Sequence, residues 1–371
     1  LVKNGTGVWG LGAINTYTGN TIINGGVLRL DFSVTGTGLS GASTNLVNSA
    51  STLYLNGGEV LTKGRGSGAN NVQSFNGTVL GAGTASIVLT ALNGAASMTT
   101  NLGGITHNAA STLNVDLTNS GTVTTTNANE GGTILGNWAT VNGNTWAVSA
   151  GTGTLPGAIT GLTTYVNDAW AAGNDTTVTT DSTQAADSTT NSLRFNTAGA
   201  HTVTLAGSNI ITSGGILVTG SVGSSTSTID AGTLAGSAGG ELLVQQNTTG
   251  ALIINSVLAD NTAATGLVKS GIGSLTSTGN NTYTGVTYVN AGSLAFKGDN
   301  TAMTGGIVLN AGTLNTSSAT GFGTGTITIN GGVVSNSAAP GSVALTTHNA
   351  QIWNGNFTGY AAFTHPFNVG D

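Results

Sequence analysis

Residues 1–30 align without a gap on residues 267–296, and 14 of the 30 positions are identical. Lys3, Gly5 and Gly7 lie over Lys269, Gly271 and Gly273. Asn15-Thr16-Tyr17-Thr18-Gly19 lies over Asn281-Thr282-Tyr283-Thr284-Gly285, and Asn24, Gly26 and Leu28 recur as Asn290, Gly292 and Leu294. Chance in a glycine-rich chain puts Gly on Gly, but it does not readily put Lys on Lys and Tyr on Tyr. A unit used twice marks a repeat architecture, in which each unit buries its apolar face only against its neighbours.

A shorter cadence runs inside the duplication. The pattern aliphatic, Asn, Gly or Ala, Gly, any residue, aliphatic occurs at Ile23-Asn24-Gly25-Gly26-Val27-Leu28 and Leu55-Asn56-Gly57-Gly58-Glu59-Val60. With Asp for Asn it returns at Ile229-Asp230-Ala231-Gly232-Thr233-Leu234. Asn290, Asn310 and Asn330, followed by Gly292, Gly312 and Gly332, repeat it at intervals of 20 residues. Period-two alternation at Leu53-x-Leu55, Leu113-x-Val115-x-Leu117 and Ile327-x-Ile329 reads as strand, and no window carries the 3.6-residue spacing of a helix. These features predict an all-β solenoid of roughly 20-residue coils, with Asn and Gly at the corners because both tolerate left-handed backbone. Stacked about 4.8 Å apart, about 15–18 such coils would make a rod of about 70–90 Å.

Composition excludes several function classes. Of 371 residues 61 are Gly, only 7 are Lys or Arg and 13 are Asp or Glu, and the net charge is −6. There is no basic patch for phosphates, so nucleic acid is not an expected partner. No run of about 18 apolar residues suits a membrane span, and the first residues do not form a signal peptide. Without Cys, thiolate chemistry and disulfides are excluded. Disorder is disfavoured because 38% of residues are hydrophobic and fall in short β-branched bursts.

The run from Leu267-Val268-Lys269-Ser270-Gly271-Ile272-Gly273-Ser274-Leu275 through Asn281-Thr282-Tyr283-Thr284-Gly285-Val286-Thr287 to Asn290-Ala291-Gly292-Ser293-Leu294 resembles the autotransporter-associated β-strand repeat. All three pieces of that repeat stand in order. Residues 1–30 carry it again, with Trp9 at the usual Leu. The resemblance covers about 60 residues directly, and looser features at Asn191–Asn196, Ile211–Ile216 and Trp353–Thr358 are similar to giant repeat-rich bacterial surface proteins. It implies a right-handed parallel β-helix in an exported passenger, at the cell surface or outside the cell. No series of amphipathic barrel strands is visible, and the chain, which begins inside one repeat, reads as one stretch of a longer array.

Residues 1–120 and 193–371 are expected to be solenoid coils, and residues 121–192 a less regular stretch of coils or an inserted loop, the whole being one continuous solenoid. That stretch holds Trp138, Trp146 and Trp170. They read either as plugs of the solenoid interior or, if exposed, as a platform for stacking sugars.

Chemistry is sparse. A glycosidase needs two carboxylates flanking its substrate, and the one close group, Asp175, Asp181 and Asp187, is spaced by six residues, which is not a coil. His107, His201, His348 and His365 occur singly, no calcium or zinc pattern appears, and Gly321-Phe322-Gly323-Thr324-Gly325 lacks the lysine and helix of a phosphate cradle. No catalytic residue, metal or cofactor is expected. The sequence reads as a structural or adhesive solenoid acting as a stiff spacer or as a filament unit that associates end to end. The alternative is a β-helix that binds or degrades glycan, and the expected partners are another copy, a glycan or a cell-surface ligand.

Overall fold

The computed structural model describes residues 1–34, 44–65, 70–90, 97–119, 121–336 and 343–361. Among these residues there is no α-helix, and one 3-10 turn lies at Gly220–Val222. Among the described residues no helix is long and apolar enough to cross a membrane. The chain forms two compact units, Leu1–Thr163 and Thr164–Asp371, divided within the stretch that the sequence marks as irregular.

The first unit is a three-faced parallel β-solenoid. One face stacks Val2–Lys3, Thr21–Ile23, Thr52–Leu55, Gly77–Leu80 and Gly104–His107. A second stacks Val8–Leu11, Val27–Asp31, Gly58–Lys63, Gly83–Thr90, Ser111–Asn119 and Ala139–Val141. The third consists of Asn70–Ser74, Ser97–Asn101 and Thr122–Thr125. Period-two patterning puts one residue in two inside, so register alone builds columns: Leu28, Val60, Ile87, Val115 and Val141 stand in line, each almost fully buried. A buried aliphatic contributes about 1.5–3 kcal/mol, and only a neighbouring coil can bury it.

The C-terminal end of this unit departs from the solenoid pattern. Thr145–Ser149 turns back antiparallel to Ala139–Val141, and Gly157–Gly161 runs antiparallel both to it and to Thr122–Thr125. The last strands of two parallel faces are thereby joined through a meander, and their edges are occupied.

The strands of the second unit all pair in parallel. One sheet runs from Val166–Asn167 through Asp175–Val178, Thr189–Phe195, Ser208–Val218, Glu241–Gln246, Gly266–Ser270, Thr287–Val289, Ile307–Leu309 and Ile327–Ile329 to Gln351–Trp353. The facing sheet has nine strands, from Ser182–Ala186 to Thr358–Ala361. Leu252, Leu275, Leu294, Leu314 and Val334 form one buried column between the sheets.

Coil length is less uniform than the cadence predicts. The 20-residue period holds where Thr287, Ile307 and Ile327 pair in succession. Elsewhere Thr21 pairs with Leu53, 32 residues on, and Asp175 with Ser192, 17 on. Strand register fixes only the faces, so corners absorb insertions at low cost.

Candidate functional site

The two repeats build the same corner. Lys3 and Lys269 enter interior columns, Lys269 standing between Val244 and Val289, and both are buried. The Lys269 Nζ curls to the corner and donates to the carbonyls of Ser270 at 2.8 Å, Gly271 at 2.7 Å and, one coil on, Ala291 at 3.1 Å. Lys3 donates in the same way to Asn4 and Gly5, each at 2.8 Å, and to Gly25 at 3.0 Å. Three N–H groups meet three corner carbonyls whose strands have ended. Burial pulls the Lys269 ammonium down to about 7.

This cradle explains the consensus. Gly26 and Gly292 both have φ +67°, a left-handed conformation that side chains oppose, and a Cβ on either would stand 2.7 or 2.8 Å from the lysine Nζ. The preceding residue has no such restriction and is Gly25 in one repeat and Ala291 in the other. Gly312 and Gly332 keep the left-handed turn at φ +81° and +89°.

Asn at the corner forms a ladder along the stack. Asn24 donates to Asn4 and Asn56 to Asn24, each at 2.8 Å. Asn310 donates to Asn290 at 2.8 Å, Asn330 to Asn310 at 2.7 Å and Asn354 to Asn330 at 2.9 Å. Amide suits the role because it donates to one neighbour and accepts from the other. The remaining repeat residues are also structural. Tyr17 and Tyr283 pair through their hydroxyls with Thr21 at 3.0 Å and Thr287 at 2.5 Å, and burial pushes both phenols up. Asn15 donates to the carbonyls of Ala13 and Leu46, and Asn281 links Ser277, Asn300 and the Leu258 amide.

The candidate glycan platform is not presented to solvent. Trp138, Trp146 and Trp170 are all buried, so their indole faces are covered by the chain itself and cannot stack on a sugar. Trp138 stacks on His107 at 5.3 Å and donates to Glu130 at 3.4 Å. Burial pulls the His107 imidazole down to about 4, against a hydrogen bond to the Ser111 carbonyl, and pushes the Glu130 carboxyl up. The exposed tryptophans are Trp9, which stands at the repeat's usual Leu, and Trp353, neither of them among the three expected as a platform.

The three acids do not converge either. Asp175 is buried and accepts from Asn191 at 2.8 Å and Ser192 at 2.6 Å. Asp181 accepts from the Thr202 amide at 2.8 Å and Asp187 from the Ser208 amide at 2.7 Å. Each is bound to the next coil. Sequence reasoning missed further carboxylates of this kind, among them Asp168 and Asp260. Asp168 accepts four hydrogen bonds from Thr179 and Thr180, and Asp260 joins Thr265 to Thr284; in both, burial raises the carboxyl and the hydrogen bonds more than reverse it. His201 lies 3.8 Å from Asp181, and His365 falls outside the described residues. Among the described residues no three His, Asp or Glu are grouped to hold a metal.

Among the described residues the surface carries hydroxyl and amide ladders that run from coil to coil. The passenger-associated transport repeat family matches residues 1–30, 267–296 and 291–315, which are the lysine cradles and the first rungs of the longer Asn ladder. The chain is 34% identical over 310 residues to the adhesin BmaC autotransporter of Brucella suis biovar 1 (strain 1330), an alignment that takes in 78% of this chain. It spans 8% of that protein's length. No solved structure matches the chain.

Proposed function

We propose, from the premise that this chain is an autotransporter passenger repeat protein exported to the cell surface, that it serves as a stiff adhesive segment which binds through its uncharged ladder faces and catalyses no reaction. The observation that carries this reading is the continuous Asn290, Asn310, Asn330 and Asn354 ladder on parallel, in-register coils. Such a face offers regularly spaced donors and acceptors with few charges. The relative's description as an adhesin supports the same reading.

Beads coated with the purified chain are expected to bind cultured epithelial cells or immobilised matrix proteins saturably. With 20 charged residues in 371, binding should hold nearly constant from about 0.05 to about 0.5 M NaCl. Binding no greater than that of albumin-coated beads overturns the adhesive role, and binding that collapses with salt overturns the uncharged-ladder mechanism.

A further inference from the structure

Three of the chain's seven Lys and Arg residues, Arg29, Lys63 and Arg65, fall between positions 29 and 65. Two of them meet on the outer surface of the first unit. Val27–Asp31 pairs in register with Gly58–Lys63, so Arg29 stands opposite Leu61 and Asp31 opposite Lys63. Leu28, Leu30, Val60 and Thr62 alternate with these residues and fill the interior, which turns Arg29, Asp31, Leu61 and Lys63 outward.

One carboxylate holds both cations. Asp31 Oδ2 lies 3.5 Å from Arg29 Nε and 3.4 Å from Lys63 Nζ, while Oδ1 accepts from the Ser33 amide at 3.0 Å and from the Ser33 hydroxyl. Burial raises the Asp31 carboxyl, and the Ser33 hydrogen bonds with the Lys63 charge more than reverse it. The Asp31 side chain is only 6% exposed, against 43% for Arg29 and 31% for Lys63, so an approaching ion meets the cations and not the carboxylate. Arg29 Nε is buried, which leaves the exposure to the rest of the side chain. The guanidinium lies over Gly10 on the paired strand, where a Cβ would stand 3.3 Å from Nη2. Glu59, the other acid on these two strands, accepts from Ser86 of the following coil at 3.1 Å.

Two cations fixed by one covered anion leave a local positive charge on a chain whose net charge is −6. The guanidinium offers a planar fork that matches the oxygens of a carboxylate or sulfate, and the ammonium adds a point charge beside it. Neutral polar groups follow along the stack: Thr90 stands opposite Lys63, and Ser86 stands between Glu59 and Asn114. Two cations are too few to hold a phosphodiester backbone, which the rest of this acidic chain repels. We propose that Arg29 and Lys63 form an anion-binding site for an acidic polysaccharide, one sulfate or carboxylate seated on both cations and sugar hydroxyls over Thr90, Ser86 and Asn114. The site is separate from the asparagine ladder and goes beyond the uncharged adhesion proposed above.

The test is biolayer interferometry of the full chain at about 0.15 M NaCl against three probes. A heparin-derived oligosaccharide carries sulfate and carboxylate, a hyaluronan oligosaccharide carboxylate alone, and dextran no charge. Binding to heparin and hyaluronan alike supports a carboxylate as the seated group, binding to heparin alone supports a sulfate, and dextran is expected not to bind. Arg29→Gln and Lys63→Gln are each expected to weaken binding about tenfold. Lys297→Gln, which removes an exposed cation from the second unit, is expected to leave it unchanged. Gly10→Leu keeps every charge and the Asp31 pairing but takes the space in which the guanidinium lies, so it too is expected to weaken binding, even should the charge variants fold poorly. Binding no greater than to dextran, an equal loss in Lys297→Gln, or undiminished binding by Gly10→Leu overturns the proposal. A single-stranded oligonucleotide bound as tightly as heparin overturns the assignment to a glycan. Beads coated with the chain carrying both Arg29→Gln and Lys63→Gln are expected to keep their salt-insensitive adhesion to cells, so this site and the ladder reading fail separately.

Discussion

A buried ammonium is tolerable only where its N–H groups are all used, and the repeat lysine meets that condition with backbone alone. Replacing Lys269 with Met keeps the length and takes the ammonium donor from one buried and two part-buried carbonyls. The variant is expected to lose about 2–4 kcal/mol, read as a lower urea midpoint for the second unit. Gly292→Ala adds left-handed strain and a collision with Lys269, whereas Ala291→Gly changes little; comparing the two midpoints checks the account of the cradle. His107 gives the first unit a pH dependence. Its folded imidazole titrates near 4 rather than the ordinary 6.5, so between these values the unfolded chain binds a proton that the folded one does not. The contribution is fully present above pH 6.5 and is lost as pH falls towards 4. The melting temperature of the first unit should drop over that interval, and drop less in His107→Gln. The lysine, glycine and asparagine of the repeat were legible in the sequence because two copies can be laid over each other. The carbonyl cradle was not, since its acceptors are main-chain atoms that carry no residue signature.

Each strand-and-corner element is pinned by register rather than by its own propensity. Thr287, Ile307 and Ile327 share one face, Ser293, Thr313 and Val333 the other, both at intervals of 20 residues. Removing residues 291–310 should therefore join matching positions and leave a cooperative, slightly smaller unit with a lower m-value in urea. Removing only residues 291–300 places corner against strand and should abolish cooperative unfolding. The same regularity explains why the coils around Asn290, Asn310 and Asn330 could be read from the sequence. Thr145–Ser149 could not. Its Thr-Trp-Ala-Val-Ser alternation has the period of any other strand, and nothing in it records that the pairing of Thr140 with Trp146 runs antiparallel. The varied coil lengths were hidden for a related reason: inserted corner residues leave inward spacing within each strand untouched.

Each of the two units has its own buried core, so the whole chain is expected to show two calorimetric transitions. The one that moves with pH through His107 belongs to Leu1–Thr163, and the one lowered by Lys269→Met belongs to Thr164–Asp371. A single transition shifted equally by both changes would contradict that division. In the second unit the hydrogen bonds between strands point along the stacking direction, because the strands within each sheet pair with the coil before and the coil after. Under tension along that direction the coils are links in series. Each interface carries the full force, and extra coils add reach without adding strength. A segment built this way yields at its weakest link, which makes the lysine clasp and the asparagine rungs local reinforcements against mechanical failure.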